Sequence, residues 1–114
     1  MAKLYTIEHV VDLARRSLDA PEDRDLQAQA IRDGLDWLAA THPGRAVEFR
    51  VPPFRVVQIL GGTTHRRGTP PAVIEMGATV WLELITRQTS WAAAVASGRI
   101  IASGERSDLS EIFD

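Results

Sequence analysis

Cysteine is absent from this 114-residue chain, which removes disulfides, thiolate metal sites and cysteine nucleophiles together. An excess of either charge is also missing. Thirteen Lys and Arg face fifteen Asp and Glu, for a formal charge of -2, too balanced for the molecular field to gather polyanions. Nucleic acid is therefore not an expected partner. Long hydrophobic runs are lacking as well, so no transmembrane segment is expected. The opening MAKLYTIEHVVDLARR carries Glu8 and Asp12 where a signal peptide needs an unbroken apolar region. A cytoplasmic location is the expectation that follows.

What is present suits a compact fold. Apolar residues make up 45% and charged residues 25% of the chain, both close to globular averages. The length supports one core, and one domain over residues 1–114 is expected.

The first 43 residues read as helices. Ile7, Val10, Val11, Ala14 and Leu18 recur at helical spacing, with Thr6 placed to cap and Glu8 in the first turn, which predicts a helix over about 7–18. Pro21 suits a first helical position, with Glu22 and Asp23 beside it, and a second helix is predicted to run to about Ala40. Gly34 inside it costs roughly 1 kcal/mol against alanine, a hint of close packing.

From Val47 the period changes to two. Val47, Phe49 and Val51 alternate with Glu48 and Arg50, which predicts a half-buried strand. Pro52 and Pro53 stop it, and Phe54 to Leu60 reads as a second strand. AVIEM, Ala72 to Met76, is a third. Val80, Trp81, Leu84 and Ile85 lie on one face of a helix over about 78–87. Ser90 caps the next, WAAAVAS, which Gly98 closes before RIIAS alternates as a last strand. Ser107 or Asp108 is placed to cap a final turn carrying Leu109, Ile112 and Phe113.

Chemistry-bearing patterns are few. GTTHRRGT, Gly62 to Thr69, has five residues between its glycines where a nucleotide loop has four, lacks the lysine, and runs into Pro70 and Pro71 where a helix should start. A milder role remains: His65, Arg66 and Arg67 would contact one anionic headgroup through charge-assisted hydrogen bonds, the plainer alternative being solvated surface charge. His9, His42 and His65 share no ligand spacing, and His9 with Asp12 is one pair, so no metal and no cofactor is expected. No G-x-S-x-G elbow exists, the serines fall at caps and turns, and Glu48, Glu75 and Glu83 occupy outer or edge positions. The chain reads as non-enzymatic. Its large apolar residues, Phe54, Trp81 and Trp91, gather with Leu84, Ile85, Val95, Ile100, Leu109, Ile112 and Phe113. An empty void of about 300 Å³ among them would cost several kcal/mol at about 24 cal/mol per Å³. Any pocket should therefore be collapsed or filled.

The segments VPPFRVVQILGG, HRRGTPPAVIE and TVWLELITRQTSWAAAVASGRIIASGERSDLS resemble the bacterial sterol carrier orthologue domain of actinobacterial sterol carrier family proteins. The likeness covers about residues 45–114 and, more loosely, the N-terminal helices. It implies an α+β, sterol carrier protein-like fold: a curved, largely antiparallel sheet of four to five strands with helices on one face and an apolar tunnel between. Thr63 to Gly68 would supply a reduced strand, and Arg87 with Gln88 stands where relatives place a helix-ending glycine followed by arginine. The ten apolar residues named above would line the ligand space, with Leu109, Ile112 and Phe113 as its C-terminal lid. The function implied is noncatalytic carriage of an apolar ligand, a fatty acyl or sterol-like lipid, with transient membrane contact. The alternative is an interaction or homodimerisation module with a closed cavity. If the headgroup contact holds, replacing Arg66 and Arg67 together weakens binding to vesicles containing an anionic lipid, and unchanged affinity in a flotation assay rejects it.

Overall fold

The computed structural model describes residues 4–61, 71–105 and 107–114. The helical half comprises α1 (Ile7–Asp19) and α2 (Arg24–Thr41). After it come β1 (Val47–Val51), β2 (Arg55–Ile59), β3 (Ala72–Met76), α3 (Ala78–Ile85), α4 (Trp91–Ala96), β4 (Ile100–Ser103) and α5 (Ser110–Phe113). The expected α+β order is what the chain adopts. The expected strand over Thr63 to Gly68, and His65, Arg66 and Arg67 with it, lie outside the described residues.

Local chemistry explains most boundaries. The Thr6 hydroxyl accepts the His9 N–H at 3.1 Å and so caps α1. α2 begins three residues later than Pro21 suggests. The segment from Ala20 to Asp23 closes as a turn, with the Asp23 N–H donating to the Ala20 carbonyl at 2.9 Å. Asp23 then caps the helix by accepting from the Leu26 N–H at 3.0 Å. A carboxylate that can satisfy a free N–H outweighs the steric suitability of proline. β2 likewise starts at Arg55, because Phe54 belongs to the hairpin turn, its N–H bonded to the Val51 carbonyl at 2.9 Å.

The strands form one mixed sheet in the order β2-β1-β3-β4. β1 pairs antiparallel with β2 and parallel with β3, and β3 pairs antiparallel with β4. The register sets Phe49 beside Ile74 and Val57, and Met76 beside Ile100, so one face is continuously apolar. Gly44 stands where a Cβ would lie 2.0 Å from the Leu60 carbonyl oxygen, at φ 146. Only glycine lets α2 turn into the sheet at that approach.

On the opposite face Arg50 pairs with Glu48 and, at 3.9 Å, with Glu75. Those groups are partly solvated, so the pairs contribute little. Val56 and Ile101 on the same face are 54% and 64% exposed. The helices cover the apolar face: α1 packs on α2 and α3, and α2 on β2. Core residues run from Val10 on α1 to Phe113 on α5 in one continuous cluster.

Gly34 shows how tight that cluster is. A Cβ there would lie 2.8 Å from both Cζ2 and Nε1 of Trp81, a side chain with 0% exposure. Gly34→Ala is expected to destabilise the protein by roughly 1–3 kcal/mol through overpacking. Urea unfolding followed by tryptophan fluorescence measures it, and an unchanged midpoint would contradict the contact.

Candidate functional site

The C-terminal half brings most of the expected ligand-space residues to one place. On α3, Val80, Trp81, Leu82, Leu84 and Ile85 are all buried, because the helix packs against α1 and α2 and also reaches β1 through Phe49. Leu82 therefore joins the four residues that spacing alone puts on the inner face. α3 ends in a Schellman closure. The Gln88 N–H donates to the Glu83 carbonyl at 2.8 Å and the Arg87 N–H to the Leu84 carbonyl at 3.1 Å, with Arg87 left-handed at φ 62. This position ordinarily favours glycine.

Ser90 then caps α4, its hydroxyl accepting from the Ala93 N–H at 3.1 Å. Trp91 and Ala94, three apart, take the inward side of this short helix. Val95 is turned out and 39% exposed, so it is not gathered with the rest. Ile100 and Leu109 are buried, whereas Phe54 and Ile112 are partly buried and pack against the core.

Phe113 is the centre of the arrangement. Its ring stacks on Trp91 at 5.5 Å between centroids and 8° between planes, meets Trp81 edge-on at 5.8 Å, and lies 6.1 Å from Phe49. Phe49 and Trp81 meet at 5.6 Å. Such pairs add about 0.5–1.5 kcal/mol each beyond burial. The space between sheet and helices is thus occupied by side chains, and Phe49, Ile31, Leu35 and Ile74 share it, all fully buried. Phe49 sat on the inward parity of β1, the signal that could have placed it in this set. Trp81 Nε1 is buried without a hydrogen-bond partner among the described residues.

Polar contacts hold the last turn in place. Asp114 Oδ1 accepts from the Trp91 N–H at 2.9 Å, and Arg87 Nη1 donates to the Phe113 carbonyl at 3.3 Å. An open cleft of about 360 Å³ lies alongside, lined by Arg87, Gln88, Thr89, Ser90, Phe113 and Asp114. Asp108 Oδ1 accepts from the Ser110 N–H at 3.0 Å, and bonding to the Ser110 backbone, then its side chain, lowers the Asp108 pKa against a smaller desolvation effect.

Away from this region, His9 turns from Asp12 to Asp33 on α2, with Nε2 2.9 Å from Oδ2, and stacks on Tyr5 at 4.9 Å. Burial, followed by the charge of Asp33, raises the Tyr5 pKa. Among the described residues no group of three or more His, Asp or Glu could hold a metal ion. No helix there is long and apolar enough to cross a membrane.

One family model, described as bacterial SCP ortholog, matches residues 23–114. No curated protein matches the chain.

The Asp108 carboxylate carries a pH prediction. A lowered folded pKa means that its contribution is present above the unfolded value and is lost as pH falls through the folded one. An NMR titration of Asp108 is expected to give a midpoint below its ordinary value of 3.8, and Asp108→Asn keeps an acceptor while removing the titration. A midpoint at or above 3.8 would contradict the bonding described.

Proposed function

The chain belongs to the bacterial SCP ortholog family, and from that membership we propose that it binds and carries an apolar ligand, a fatty acyl or sterol-like lipid, without catalysing a reaction on it. The ligand lodges between the sheet and the α3–α4 pair, against Trp81, Leu84, Ile85, Trp91, Ile100 and Leu109. Phe54 and Ile112, both packed against the core, border that space. The observation that carries this is the buried ring cluster of Phe49, Trp81, Trp91 and Phe113 reaching a surface cleft through Phe113. The cleft itself is lined by polar groups of Arg87, Gln88, Thr89, Ser90 and Asp114, with Phe113 as its apolar contact to the cluster.

Magnitudes bear on the ligand. Burying an alkyl chain of about ten carbons contributes about 8 kcal/mol at roughly 0.8 kcal/mol per methylene. Displacing an aromatic side chain from a packed core costs about 3–5 kcal/mol. The balance of about 3–5 kcal/mol corresponds to binding near the millimolar range. Short chains would bind weakly, and longer chains gain with each carbon.

A second reading, an interaction or dimerisation module with a closed cavity, draws support from the filled interior and from exposed Val56 and Ile101 on the outer sheet face. Native mass spectrometry separates the two. Copurified lipid, or saturable uptake of added long-chain fatty acid with a change in tryptophan fluorescence, is the expected result. A ligand-free mass with a concentration-dependent dimer would favour the module instead.

A further inference from the structure

We propose that Phe113 and Asp114 form a resident plug, an intramolecular competitor for the apolar ligand, latched by Arg87 and by the Trp91 N–H. This rests on the apolar-ligand reading above and specifies how that site is closed and opened. Phe113 is the ring on which the cluster converges: it contacts Phe49, Trp81 and Trp91, and without it Trp91 has no ring contact among the described residues. Yet it is delivered by α5, a four-residue helix whose packing is chiefly against α4. Departure of Phe113 would uncover the rings of Phe49 on β1, Trp81 on α3 and Trp91 on α4, while breaking the backbone packing of one four-residue helix.

The latch is polar and local. Asp114 Oδ1 accepts from the Trp91 N–H at 2.9 Å, and Arg87 Nη1 donates to the Phe113 carbonyl at 3.3 Å. Arg87 holds a left-handed backbone at φ 62 that glycine would adopt without strain. Its guanidinium contact with the last turn gives a reason for a side chain at that position. The open cleft of about 360 Å³ between the α3–α4 turn and residues Phe113 and Asp114 provides room for the turn to swing outward. Ligand-free protein is therefore plugged, and loaded protein has the alkyl chain on the three remaining rings with Phe113 displaced toward solvent.

Titrating the full chain with a fluorescent long-chain fatty acid, in wild type and in Phe113→Ala, Arg87→Gly and Asp114→Ala, tests this. Arg87→Gly relaxes the backbone while removing the latch, so it guards against a variant that fails to fold. Loss of one latch bond is expected to tighten binding by up to about tenfold, with Phe113→Ala tightening it further. Loading of wild type should also speed amide exchange in residues 110–114. Binding by the variants alone would support the plug. Wild-type binding that no folded variant improves would overturn it while leaving the carrier reading intact. Absence of binding in wild type and all folded variants would reject the carrier reading and the plug together.

Discussion

The indole of Trp81 lies against Gly34 on α2 while its ring meets Phe49 of β1 and Phe113 of α5 edge-on, so one side chain sets the spacing between three parts of the chain. A helix with any side chain at residue 34 would have to stand further off. The sheet and the C-terminal turn would then lose contact with the indole, because interiors are close-packed and gaps forfeit attraction on every lining atom. Most other packing decisions follow from this apposition: α3 is buried on several sides, and its partners supply small or flat groups where it passes.

The same constraint accounts for the filled interior. A carrier needs space, but an empty chamber of useful size in a core this small would be costly. Side chains from both layers occupy it instead, and the aromatic ring on which the others converge comes from the four-residue α5. On the proposed carrier reading, loading and closing are linked, since whatever enters must replace contacts that the protein already makes with itself. The outer sheet face differs in kind: its charges pair beside water and leave the stability of the fold to the inner face.

Much of this was legible in the residues. The Thr6 and Ser90 caps, the alternation of β1 and β3, and the glycine after α4 each follow from chemistry within a few positions, and the elements formed where those signals lie. Misplaced features had competing local solutions. Pro21 yielded to the Asp23 carboxylate, and Phe54 yielded to closure of the hairpin turn. On α4, Trp91 and Ala94 took the inward side and left Val95 outside. His9 has Asp12 nearby in sequence but meets Asp33, 24 positions away, a pairing that local spacing cannot reveal.

The sequence by itself determined the order and type of the elements, the apolar side of β1, and the family to which the chain belongs. Periodicity and caps act over one or two turns of chain, so they can be read without knowing where that chain goes. Only the tertiary structure decided that Phe49 joins Trp81 and Trp91 around Phe113, that Asp114 reaches the Trp91 N–H, and that the space between the layers is filled. Those contacts join residues 22 to 64 positions apart, and their distances depend on how helices and sheet stack, a property of the whole packing that no local pattern encodes.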